Sequence, residues 1–308
     1  MIDFVGRKRF LFLISEILVI IGIVSLVISQ IQLGTPLRLG IDFTGGTFTT
    51  IHFTPQVEQE RLRQELTSLG HPEAIIQRSG DDFLIRFREI SPQEREDLVK
   101  GLETSLGSEI TVRDYDMVSG HIAKDTARNA IIAVIIAAVA MLFYIVWAFR
   151  RMPKPFRWGT CAIIALIHDV FIIVGIFSLL GLLAGVAIDA LFITGLLAVV
   201  GYSINNTVVI FDRIRENVSR HISPDFAETV NGSLIETLGR CLNTALTTLF
   251  VLLALFLFGG ATIHYFVLVL LLGVIIGTYS SVCIVGPLLV VWERREWKAL
   301  LPFAKRTA

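Results

Sequence analysis

The chain has 308 residues, no net formal charge (27 basic and 27 acidic side chains) and 54% hydrophobic residues. A mean hydropathy of +0.70 excludes an ordinary soluble domain, and apolar runs of about 20 residues make this an integral membrane protein. The balanced charge gives no electrostatic reason for a nucleic-acid partner.

Arg7, Lys8 and Arg9 precede an apolar run over residues 10–31, which is long enough to span a bilayer. By the positive-inside rule this start is cytoplasmic. Glu16 lies near enough to that end to reach the interface or pair with a neighbouring helix. No small-residue cleavage motif follows, so no cleavable signal peptide is expected.

A water-soluble insert over residues 34–128 comes next, after a first segment of residues 1–33. It opens with LGIDFTGGTFTTIHF. Gly40, Gly45 and Gly46 allow tight turns around Thr44, and Asp42 can accept backbone N–H bonds there. Residues 47–53 alternate and are β-branched, the pattern of a strand. Residues 56–69 carry a helical stripe of Val57, Leu62, Leu66 and Leu69. Residues 74–78 and 83–87 read as strands joined by a turn at Gly80 and Asp81. Ser91, Pro92 and Glu94 spell a capped helix start with a capping box. That helix ends at Gly107, and residues 110–115 form a last strand. The order βαββαβ predicts a ferredoxin-like α+β domain.

Five further spans are expected, at about residues 131–149, 158–180, 186–211, 238–258 and 264–292. Between the fourth and fifth spans, an amphipathic helix is expected after Ser223, Pro224 and Asp225. Arg150, Arg151, Lys154 and Arg157 follow the second span, Asp212 and Arg213 close the fourth, and residues 293–308 form a basic tail. Every positive cluster then falls on one side, with both termini cytoplasmic. The fold class is an α-helical membrane protein of six spans (the last five within residues 129–292) with one inserted α+β domain.

The spans are not uniformly apolar. Ser203, Asn205, Asn206 and Thr207 crowd the end of the fourth, and Arg240, Asn243, Thr244 and Thr247 the start of the fifth. Lipid offers these groups no partners. The two helices run antiparallel, and a rise of ~1.5 Å per residue puts Asn206 and Arg240 at similar depth. They are expected to face each other in a polar seam, although Arg240 could instead snorkel to the interface. Asp169 lies near the middle of the third span beside His168, which makes it a functional-site candidate unless it serves only a structural hydrogen bond. Asp189 reads as interfacial, and Gly195, Gly201, Gly273 and Gly277 as packing positions. Cys161, Cys241 and Cys283 lie in apolar runs and read as small core residues, with no metal site among them.

The motifs GIDFTGGT at 40–47, ALIHD at 165–169, SINNTVVIFDRIREN at 203–217 and RxxNTxLTT at 240–248 resemble the SecF family, within the RND superfamily. The resemblance covers nearly the whole chain in motif order. It implies an RND-type half-bundle, a periplasmic insert, residence in the bacterial inner membrane and SecD as the other half. It further implies work with SecYEG, SecA and the translocating preprotein, driven by the proton motive force, with no cofactor. One departure stands out. Relatives commonly have SINDT where this chain has Asn206, and an amide cannot take up a proton. The segment 112–129 also lacks the family's Gly-Pro stretch before the second span. On physics alone a half-size exporter of small molecules or lipids remains open. An intramembrane hydrolase on His168 and Asp169 lacks an evident nucleophile.

Overall fold

The structure is a computed structural model that describes residues 3–72 and 74–297; the tail expected beyond 297 lies outside them. Its elements are α1 (Lys8–Leu33), α2 (Ile41–Thr44), β1 (Gly46–Thr54), α3 (Gln59–Ser68), β2 (Ile75–Ser79), β3 (Asp82–Phe87), α4 (Pro92–Leu106), β4 (Glu109–Val118), α5 (Gly120–Ala148), α6 (Pro155–Leu183), α7 (Ala190–Ser219), α8 (Phe226–Phe258), α9 (Ala261–Ser280), a π-turn (Ser281–Val285) and α10 (Gly286–Arg294). Among the described residues six helical spans are long and apolar enough to cross a membrane.

Two compact units emerge: residues 38–131 with 187–190, and the remaining spans. In the first, an antiparallel sheet of order β2-β3-β1-β4 is the ferredoxin-like topology that the sequence predicts. Alternation puts Ile51, Phe53, Phe83 and Ile85 on one face, where Leu62 and Leu66 of α3 and Leu98 and Leu102 of α4 bury them. The Ser91 capping box forms with both of its hydrogen bonds. It fixes where α4 starts by occupying amides that would otherwise lack partners. Along β4, the amides of Tyr115 and Met117 each donate to the carboxylate of the preceding residue, Asp114 and Asp116, at 2.9 Å. Those bonds occupy backbone donors on an edge strand.

The turn between α6 and α7 belongs to this first unit. Ile188 donates to Arg38 O and Gly40 donates to Ile188 O, both at 2.8 Å, and Leu39 bridges Ile188 in parallel. Asp42 Oδ2 then accepts from Ala190 N, the first residue of α7, at 2.6 Å. The sequence reading kept Asp42 within its own turn; its partner lies 148 residues away.

In the second unit, Phe149, Trp158 and Phe211 stack in one aromatic cluster with centroids 5.0–5.6 Å apart. Two expectations need correction. The amphipathic helix and the fifth span are one continuous helix of 33 residues, N-capped by the Asp225 carboxylate on Ala227 N. Nothing after Pro224 breaks it, so the polar stretch simply extends the span. The last span is interrupted by the π-turn. Pro287 has no N–H to give, and its ring crowds the carbonyl four residues back, which widens the turn ahead of it.

Candidate functional site

The parallel pair α7 and α9 sets the site's geometry. A Cβ on Gly195 would meet Val269, one on Gly273 would meet Val199 and one on Gly277 would meet Ser203, at 3.1, 2.0 and 3.1 Å. One glycine on α7 and two on α9 thus let the backbones approach closely. That contact fixes the rotation of α7 about its axis. Ser203, Asn206 and Thr207 are turned inward, 1–2% exposed, while Gly201 and Asn205 are exposed.

Each inward group finds a partner. Asn206 Nδ2 donates to Thr278 Oγ1 at 3.4 Å, and Thr278 in turn donates to Val274 O at 2.7 Å. Thr207 and Ser281 share a hydroxyl–hydroxyl bond of 3.2 Å, and Ser281 donates to Gly277 O at 2.7 Å. At the centre lies Asp169 of α6, fully buried. Its Oδ2 accepts from Ser203 Oγ of α7 at 2.6 Å and from Ser280 Oγ of α9 at 2.7 Å. Its Oδ1 lies 2.9 Å from His168 Nδ1. One carboxylate therefore ties three spans together beside the π-turn. His168 Nε2 is buried and has no hydrogen-bond partner among the described residues.

The expected face-to-face seam of Asn206 and Arg240 is not what forms. Arg240, Asn243, Thr244 and Thr247 are exposed on α8. The Thr244 and Thr247 hydroxyls turn back onto α8's own carbonyls, those of Arg240 and Asn243, at 2.9 and 3.0 Å. Among the described residues the Arg240 guanidinium has no hydrogen-bond or ion-pair partner. The physical reason is rotation: depth along the two helices allowed the pairing, but the glycine contacts with α9 turn Asn206 away from α8. Arg240 instead lines an open cleft of about 340 Å³ with Val209, Asp212, Arg213, Glu216 and Glu236. There Arg213 donates to Glu236 and Glu216 at 2.5 Å, and Asp212 pairs with Arg215.

At the other predicted motif, Thr44 Oγ1 donates to Gly40 O at 3.0 Å. Gly45 has φ +74° and Gly46 φ +124°, so both glycines are used for backbone that other residues rarely adopt. Sequence reasoning missed Thr278, Ser280 and Ser281. The signal was present: four consecutive hydroxyl residues, 278–281, in an otherwise apolar run, which also holds Pro287.

Chemically, the centre is a buried carboxylate that meets two hydroxyls and an imidazole. Ser203 and Ser280 bond the carboxylate, whereas a Ser-His-Asp relay has its serine on the imidazole. Among the described residues no cluster of metal-ligating side chains is present.

Comparison with known proteins gives consistent matches. Residues 98–295 match the family model "Protein export membrane protein SecD/SecF, C-terminal", and residues 31–57 match "SecD/SecF GG Motif". The chain is 41% identical to the protein translocase subunit SecF of Thermobaculum terrenum, covering 96% of both proteins. It is 38% identical to the protein translocase subunit SecDF of Thermus thermophilus over 83% of this chain and 34% of that one. A crystal structure of SecDF from that organism superposes with a TM-score of 0.83 at 35% identity, covering 96% of this chain and 39% of the larger one.

Proposed function

The chain belongs to the SecD/SecF family of protein-export membrane proteins, and from that premise we propose how this multi-pass translocase subunit works. SecD supplies its other half, and the pair uses the proton motive force to promote the late stages of preprotein translocation and release at SecYEG with SecA. The protein lies in the bacterial inner membrane, with both termini and the basic loops cytoplasmic and the α+β domain periplasmic. It acts without an enzymatic centre.

The observation that carries the pairing is the exposed polar face of α8, with Arg240, Asn243, Thr244 and Thr247. An arginine on a lipid-facing helix surface is costly unless it is paired or wet. A partner helix offering a carboxylate at that level offsets this cost and gives Arg240 the ion pair it lacks. The larger SecDF relatives carry extra chain in which such a half could lie.

The test is co-purification of the full chain with SecD, together with gradient-stimulated preprotein release from membrane vesicles. Arg240→Ala should weaken the complex and lower gradient-stimulated release, whereas Ser105→Ala, on the far side of an exposed helix, should do neither. Normal assembly and release by Arg240→Ala would sink the proposal.

A further inference from the structure

Between their flanking charges the six spans hold few ionisable groups, and Asp169 with His168 is the only adjacent carboxylate–imidazole pair among them. From this geometry we infer that His168 and Asp169 form a proton-loading site whose occupancy sets how tightly α6 holds α7 and α9.

Three observations converge. Asp169 is fully buried, so its charge is tolerated only through the donors it collects. All of those donors are hydroxyl or imidazole groups, at 2.6, 2.7 and 2.9 Å, with no arginine or lysine bonded to the carboxylate among the described residues. The second imidazole nitrogen, His168 Nε2, is buried without a partner, although a buried nitrogen of this kind ordinarily has one. It is the end of the pair left without a partner, and the atom the incoming proton would occupy.

The step balances. With Nδ1–H donating to Oδ1, Nε2 carries a lone pair. A proton from water forms the Nε2–H bond. The Nδ1–H bond breaks as the Oδ1–H bond forms. The products are a neutral imidazole, now protonated on Nε2, and a neutral carboxylic acid, so the pair passes from one negative charge to none. Hydrogen bonds to an ionised acceptor are roughly twice as strong as neutral ones. Loading the proton therefore weakens the Ser203 and Ser280 bonds together, next to a π-turn that already departs from regular helix.

Other titratable groups stand on the surrounding elements: Cys161 of α6 is buried, and His264 and Tyr265 meet edge to face near the start of α9. Glu16 of α1 is half-buried. Tyr279 of α9 donates to Leu11 O at 2.8 Å. Tyr202 of α7 has a buried hydroxyl without a partner among the described residues. Cys283 lies in the π-turn, Tyr144 of α5 is exposed, and the charges of α10 sit at its end, on Glu293 and Arg294. Arg240 of α8 is exposed. Asn206 is an amide and cannot take up a proton, which leaves the adjacent carboxylate and imidazole of Asp169 and His168 as the acid–base pair of this polar centre among the described residues.

The consequence for transport rests on the export function proposed above; the protonation itself does not. Both are tested on the full chain with SecD in vesicles. Infrared difference spectra after a pH step should show a protonated-carboxyl band that appears as pH falls. Asp169→Asn should abolish it, His168→Gln should move its midpoint, and Glu16→Gln should leave it in place. His168→Gln keeps all of Asp169's serine contacts and so reads the site even if Asp169→Asn fails to fold. In the same vesicles, Asp169→Asn should lower gradient-stimulated preprotein release at least tenfold. A band indifferent to both Asp169→Asn and His168→Gln, or no band, overturns the inference, as does intact gradient stimulation in Asp169→Asn. If the band behaves as expected but the unaltered vesicles show no gradient-stimulated release, the proton site stands and the export reading fails.

Discussion

Gly46 offers the sharpest test of how the outer motif is built. Its φ of +124° is open to glycine and costs other residues about 1–3 kcal/mol. A Cβ there would also sit 2.5 Å from the Phe87 carbonyl oxygen. That atom is backbone, held in the ladder where Thr47 pairs with Phe87, so it cannot swing aside as a side-chain end could. Relief requires moving β1 from β3 and weakening one or two ladder bonds, at about 1 kcal/mol each. Gly46→Ala should therefore cost about 3 kcal/mol, which at tenfold per 1.4 kcal/mol is a hundredfold or more. The control is Gly107→Ala, at φ +64° with nothing within 4 Å of the added carbon. It should cost about 1 kcal/mol, roughly fivefold. Amide hydrogen exchange in the full protein reads local opening directly, at β1 and β3 for the first variant and at α4 for the second. Equal effects for the two alanines would refute the clash and leave only the backbone preference.

Other outcomes follow from single contacts. Ser91 donors and backbone hold Glu94 below the usual glutamate range; a lowered acid pKa contributes stability above its unfolded value and loses it as pH falls through the folded one. Protection of α4's first turn should thus fade on acidification, and Glu94→Gln should remove that pH dependence, while Ser91→Ala costs about 1 kcal/mol at neutral pH. Asp42→Ala removes the carboxylate that accepts from Ala190 N and should raise exchange in the first turn of α7 by roughly fivefold, with Asp42→Asn largely restoring protection; unchanged exchange in Asp42→Ala would count against the cap. Asn206→Asp introduces a second titratable group into the polar centre, and gradient-stimulated release should shift its pH dependence relative to the Asn206 protein; superimposable pH profiles would mean that residue 206 is only a hydrogen-bonding position.

What the sequence reveals and what it hides divide along one physical line. Signals that act within a turn or two were legible. The capping box at Ser91 is local chemistry and forms as spelled. The strand order follows from alternation and the βαββαβ sequence, and the spans follow from apolar length. The continuity of α8 was hidden because Ser223, Pro224 and a polar stretch look like a connection, yet Asp225 caps a helix that runs on into the apolar run. Asp42's partnership with Ala190 was hidden because its partner lies 148 residues away and leaves no periodic mark.

The polar centre fell between these cases, and the reason is rotation about a helix axis. Rise per residue put Asn206 and Arg240 at similar depth and so made them candidates for neighbours, but depth does not choose a face. The choice rests on which helix α7 can approach most closely, and that is decided by Gly195, Gly273 and Gly277, whose missing side chains let Val269, Val199 and Ser203 in. Those glycines had been read as packing positions, which is what they are; the step not taken was to ask which residues their packing would turn inward. Once α7 is set against α9, Ser203 lands on Asp169, Asn206 on Thr278 and Thr207 on Ser281. The same rotation leaves Asn205 outward. In a membrane bundle, where lipid and core are equally apolar and burial chooses no face, small residues carry the rotational information that hydrophobic periodicity carries in water. The position of a titratable group in such a bundle is accordingly read from the glycines of its neighbours before it is read from its own depth.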